Sequence, residues 1–256
     1  MKRAFSSLLI WTVVLAAPAG AELSQKGNLF VHFDGGISPT ALPRSTPASI
    51  GVRIEGRIQT LSGARPPALR RIRIALNRAG RLETRGLPVC RPSEIEFVTG
   101  SEALAACGDS LVGAGGIVAR TDITGQENAL IRGEVLLFNG VADGRPAILA
   151  HVFQRKPALI TRLVVFHIQR SSGGFGTVIT GELPPSLNRN GYLTSIFLQL
   201  QRRYVFRGRP MSYISASCAA PSGFSAAVFP FARVSMAFSD GHTLASTLTR
   251  SCKVRD

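Results

Sequence analysis

From Ile50 onward the chain alternates apolar and polar positions with a period of two. Val52, Ile54, Gly56 and Ile58 stand between Arg53, Glu55, Arg57 and Gln59, the pattern of a strand with one buried face and one wet face. Arg71 to Leu76 repeats it, and so does Asn128 to Phe138, with Ile131, Val135 and Leu137 opposite Arg132 and Glu134. Ile148–Phe153 and Leu159–Ile168 are more continuously apolar and β-branched, as strands covered on both faces are. Tyr192 to Phe206 reads as the longest strand, and Arg207–Pro210 turns it back toward Met211–Cys218. Val228–Phe238, a turn at Asp240-Gly241, and Thr243–Thr249 form a hairpin. Asn139-Gly140 and Asp143-Gly144 mark another connection, and Gly113–Gly116 and Gly173–Gly176 read as turns.

One stretch breaks the period. Thr99-Gly-Ser-Glu102 fits a capping box, Glu102 to Cys107 is made of good helix formers, and Gly108 falls where a C′ glycine would. This predicts one short helix after residue 99. Residues 22–49 carry little pattern beyond Leu29–Phe33, which reads as an edge strand, with Pro39, Pro43 and Pro47 punctuating the rest. Roughly ten to twelve strands and one helix argue for an all-β fold, an antiparallel β-sandwich with a jelly-roll-like arrangement as the candidate. A single domain over 50–256 is expected, because no low-complexity linker interrupts it; two smaller sandwiches divided near 125 or 185 are the alternative.

The N-terminus changes the setting. Met1-Lys2-Arg3 is a basic start, Leu8–Ala17 an apolar run too short to span a bilayer, and Ala19-Gly20-Ala21 a cleavage site, so residues 1–21 read as a signal peptide. No second long apolar run follows, and a secreted or envelope-associated mature chain is expected. Cys90, Cys107, Cys218 and Cys252 all lie in that part, and an even number in an oxidising compartment favours two bridges. Of three connectivities, 90–107 and 218–252 are expected, because each is local. They would be worth about 3 and about 4 kcal/mol by loop entropy. No C-x-x-C occurs and no His lies near a Cys at ligand spacing, so the cysteines do not read as a metal site.

The formal charge of +15 falls to +13 once Lys2 and Arg3 are removed, and nearly all of the excess is arginine. An anionic partner, such as an envelope polymer or acidic polysaccharide, accounts for it; so does the codon usage of a GC-rich genome. Export disfavours nucleic acid. The chain lacks a G-x-S-x-G elbow, an H-E-x-x-H pattern and a P-loop, so it names no catalytic residue and no cofactor. His151 and His167, on consecutive strands, could face each other. Glu94 and Glu96, on one potential strand face, and Glu134 and Glu182 are the carboxylates a glycoside hydrolase would draw on. The densest constellation is Arg202, Arg203, Arg207 and Arg209, interleaved with Tyr204 and Phe206. Guanidinium forks suit carboxylate or phosphate, and aromatic rings stack on sugars. Arg70, Arg71, Arg73, Arg78, Arg81 and Arg85 form a second group. The expected function is anionic-polymer binding through the first cluster; a carbohydrate-active enzyme and a structural or protein-interaction module are the alternatives.

Gly86-Leu-Pro-Val-Cys90, Ala106-Cys107, Leu111-Val-Gly113, Phe138-Asn-Gly140, Ser215-Ala-Ser-Cys218 and the terminal Cys252 together resemble a group of uncharacterised secreted proteins from GC-rich actinobacteria. The resemblance covers most of the mature chain. It implies secretion and a cysteine framework, and brings no activity or site.

Overall fold

The computed structural model describes residues 22–122, 128–185 and 191–255; the expected leader lies outside them. The first strands are β1 (Glu22–Lys26), β2 (Leu29–Ser38), β3 (Ala41–Leu42), β4 (Ala48–Ser49), β5 (Gly51–Thr60), β6 (Leu69–Asn77) and β7 (Gly80–Leu82). Two helices follow, α1 (Pro92–Ile95) and α2 (Gly100–Cys107). Then come β8 (Leu111–Thr121), β9 (Leu130–Ala142), β10 (Arg145–Gln154), β11 (Ile160–Arg170), β12 (Phe175–Glu182) and β13 (Gly191–Leu200). The last strands are β14 (Arg203–Phe206), β15 (Arg209–Ser212), β16 (Ile214–Ala216), β17 (Ala226–Phe238) and β18 (Thr243–Val254).

Thirteen strands form one sheet in the order β1-β2-β5-β13-β8-β9-β10-β11-β12-β6-β17-β18-β3. Its pairings are antiparallel except for the short β18–β3 join. The fold is the expected all-β, antiparallel, sandwich-like one. The registers bring the apolar halves of the alternation onto one face: Val31 opposite Ile58, Ile54 opposite Leu198, Val135 opposite Val152, Ile74 between Ile179 and Val234. The sheet curls around that face, and one apolar cluster runs from Val31 and Phe33 to Val234 and Leu248. Outward positions on β5 and β6 include Arg53, Arg57, Arg71 and Arg73.

The two ends of the sheet meet. Ser24 Oγ donates to the Ala245 carbonyl across the seam (3.2 Å). Arg250, inward on β18 and only 7 % exposed, extends its guanidinium to β2. There it donates to the Gly35 carbonyl and, at 2.6 Å, to Asp34 Oδ1.

α1 and α2 cover the outer face of β9, β10 and β11. Ile95 and Ala103 pack there on Leu136, Phe138 and Leu149. This is why β10 and β11 read as continuously apolar. Thr99 caps α2 as expected: Glu102 N–H donates to Thr99 Oγ1 (3.4 Å) and Thr99 N–H to Glu102 Oε2 (2.8 Å). The Cys90–Cys107 disulfide ties the helix to the segment before it, and Cys218–Cys252 ties the chain after β16 to β18. No cysteine is free. Among the described residues no helix is long and apolar enough to cross a membrane.

Five expectations are corrected. Residues 22–49 are not irregular: β2 is a ten-residue strand paired on both sides, not an edge. Leu29, Val31, Phe33 and Ile37 keep the period, while Gly35 and Gly36 dilute it. Gly108 is right-handed (φ −56°), because the chain tightens into a 3-10 turn whose Ser110 hydroxyl donates to the Cys107 carbonyl (2.8 Å). Glu94 belongs to α1, a helix opened by Pro92, and no strand runs there. Asn139-Gly140 lies inside β9, and the turn is at Asp143-Gly144, both left-handed. Buried Asn139 donates to the Pro88 carbonyl (2.9 Å), and a side chain at Gly140 would collide with Leu149 and the Cys90 carbonyl. Gly113–Gly116 lies within β8, where the β13 backbone passes too close to Gly113 and Gly115 for a side chain.

Candidate functional site

The expected long strand from Tyr192 to Phe206 is broken. β13 ends at Leu200, and the chain leaves the main sheet at Gln201–Arg202. β14 and β15 then pair only with each other, as a two-stranded ribbon. The Tyr213 N–H closes its base on the Arg202 carbonyl (2.9 Å). Arg207 (φ 51°) and Gly208 (φ 73°) make its tip, the left-handed pair that a two-residue hairpin requires.

Two aromatic residues seat the ribbon. The Tyr204 hydroxyl donates to the Arg85 carbonyl (2.8 Å). Burial, then the charge of Glu83, push this phenol above its usual value, with Arg85 opposing. The Phe206 ring lies against Gly86, whose left-handed backbone (φ 80°) has no Cβ to obstruct it. Tyr204 and Phe206 are therefore anchors.

The arginines of the ribbon do not form one patch. Alternation sends Arg202 to a groove of about 760 Å³ with Arg53, Gln199 and Gln201, where it donates to the Asp109 carbonyl (3.3 Å). Arg203 faces a second groove of about 700 Å³ beside β4, β7 and β16. Arg207 and Arg209 border a third, of about 580 Å³, with Arg85 and Phe206. Arg207 also lies over the Phe206 ring, 5.3 Å from its centre.

The second groove has the most order. In the small sheet β4-β16-β7, Ser215 pairs with Ser49 on one side and Arg81 on the other, so the three share one face in a row. Arg203 joins this row through a relay. Its Nε–H donates to Ser49 Oγ (3.2 Å), the Ser49 hydroxyl to Ser212 Oγ (2.9 Å), and the Ser212 hydroxyl to the Ile214 carbonyl (2.7 Å). Glu83 also borders the groove, but it accepts from the Arg85 N–H (3.0 Å) and faces the Arg85 guanidinium at 3.7 Å. Arg81 and Arg203 have no carboxylate within 4 Å among the described residues.

The other sequence candidates come apart. His151 pairs across β10–β11 with Leu163 and His167 with Ala147, four residues or about 13 Å along the strand. His151 is buried and bonded to the Val98 carbonyl (3.0 Å); His167 lies 3.6 Å from Asp143. Glu94 caps α1 by accepting from the Arg91 N–H (2.6 Å), and Glu182 pairs with Arg71. Glu134 lies against Gly100 at the start of α2. Glu94 also comes within 3.8 Å of Cys107 Sγ, but both nearby sulfurs are bonded to each other. Sequence reading missed the meeting of Arg81 with Arg203 across 122 positions. Each belonged to a different arginine group, and no local signal joins them.

No family model matches the chain, and neither the curated proteins nor the solved structures give a match.

Proposed function

We propose that the protein is an exported binding protein for anionic polymers of the cell envelope or its surroundings, acting through the β14–β15 ribbon and its flanks. One observation carries this reading. Arg81, Arg203, Arg207 and Arg209 gather around the grooves that flank the ribbon with no carboxylate within 4 Å among the described residues, whereas Arg57, Arg73 and Arg233, equally unpaired, stand apart on the outer faces of β5, β6 and β17, and Arg85 beside the ribbon is paired with Glu83. Unpaired guanidinium groups on a rigid, twice-anchored hairpin leave their donors to an incoming anion. Two disulfides accord with an oxidising, extracytoplasmic setting, where polyanions are abundant and nucleic acid is not the expected partner.

The test is retention of mature protein on an immobilised polyanion as salt rises from about 0.05 to about 0.5 M, over which the screening length falls well below 10 Å. Tight binding at the low end that fails steeply with salt is expected. Absence of binding at the low end would overturn the proposal, and so would retention indifferent to salt.

A further inference from the structure

We infer that the groove floored by Ser215 selects tetrahedral oxyanions, sulfate esters or phosphodiesters, over carboxylates. The inference rests on the polyanion reading above and specifies the ligand group. Ser49, Ser215 and Arg81 lie in one row across three strands, with neighbours about 4.8 Å apart. Arg203 enters from the Ser49 end and Arg81 from the other, so two arginines flank a central hydroxyl, within the reach of long side chains between neighbouring strands. The serine relay uses only the Nε–H of Arg203. Its terminal nitrogens, the whole Arg81 guanidinium and the Ser215 hydroxyl have no partner among the described residues.

Donors thus approach from two sides and from the floor. A carboxylate offers two oxygens in one plane and is satisfied by a single fork. A sulfate ester carries three free oxygens that no single plane holds with the sulfur, and a phosphodiester carries two free oxygens with two ester oxygens outside their plane, so either can accept from both forks and the hydroxyl together. The relay also holds the Arg203 side chain by its Nε, which lowers the cost of ordering it on binding.

The experiment compares the binding of mature protein, disulfides intact, to dextran sulfate, poly(glycerol phosphate) and polygalacturonate. Calorimetry is run at equal ionic strength and equal anion concentration. One or both tetrahedral-anion polymers should bind about tenfold tighter than the polycarboxylate, the worth of one added charge-assisted hydrogen bond. The two arms also tell sulfate from phosphodiester as the ester preferred. Ser215→Ala and Arg81→Ser should each erase most of that preference, with unchanged far-UV CD, while Arg73→Ser leaves it intact. Equal affinity for all three polymers would overturn the selectivity and leave the polyanion reading standing. A preference that survives both groove variants would also overturn it. No binding to any of the three would overturn the function itself.

Discussion

Removing Asp34 should cost more than removing Arg250, although the two are partners. Arg250 is 7 % exposed and donates to Asp34 Oδ1 (2.6 Å), to the Thr249 carbonyl (2.6 Å) and to the Gly35 carbonyl. Asp34→Ala leaves that guanidinium buried with carbonyls alone. Breaking a buried pair from one side costs about 3–5 kcal/mol. The Asp34 side chain is 30 % exposed, so water can partly replace it, and the low end, about 3 kcal/mol, is expected. Arg250→Met removes the buried charge and keeps an apolar stem in the core. Asp34 then retains water, the Gly35 N–H (2.7 Å) and Arg53 at 3.9 Å, so the loss should be about 1–2 kcal/mol. The double variant should resemble Arg250→Met, giving a coupling of about 3 kcal/mol, the whole cost of Asp34→Ala. Urea unfolding with a common m-value measures all three, and 0.5 M salt should change little. Hydrogen exchange should place the loosening in β1, β2 and β18, where the sheet ends meet. If Arg250→Met proved the costlier change, or Asp34→Ala cost under about 1 kcal/mol, the buried clamp would not close the seam.

Three further outcomes follow from single residues. Tyr213 is fully buried, its hydroxyl has no partner among the described residues, and burial holds the phenol far above its usual value. Tyr213→Phe should leave stability within about 1 kcal/mol of the parent or raise it, and a loss beyond about 2 kcal/mol would reveal a partner for the hydroxyl. Donation from the Thr99 N–H and hydroxyl lowers the Glu102 carboxyl below its ordinary value, against slight desolvation. Its support of α2 is present above the unfolded value and disappears as pH falls through the depressed folded one. The stability gap between the parent and Glu102→Gln should therefore close in acid; a gap constant with pH would contradict the capping role. Gly86→Ala would place a methyl in the Phe206 ring at a left-handed position, so it should unseat the ribbon and weaken polymer binding while both disulfides persist. Unchanged affinity would detach the ribbon's seat from function.

The parts of the fold legible in the sequence were those where a local rule has no rival. Alternation placed β5, β6 and the β17–β18 hairpin, and the capping box placed α2, because each is decided within a few residues. Glycine misled where tertiary approach rather than a turn required it: Gly113 and Gly115 admit the β13 backbone, and Gly140 admits Cys90. The arginine cluster at 202–209 marked the right neighbourhood, but alternation turns Arg202 and Arg203 into different grooves. Arg81 reaches the same groove only through the β16–β7 pairing, which depends on registers no single segment encodes.

The central claim is that a place on the surface, and not net charge alone, binds the polyanion. Two variants of equal charge separate these. Arg203→Ser/Arg207→Ser/Arg209→Ser and Arg57→Ser/Arg73→Ser/Arg233→Ser each lower the formal charge of the full sequence from +15 to +12. Both triplets are exposed, and the second lies on the outer faces of β5, β6 and β17. Binding of each to one immobilised polyanion at physiological salt is the measurement. The ribbon variant should lose most of its affinity and the second should stay within a few-fold of the parent. Equal losses would reduce the interaction to overall charge and contradict the site.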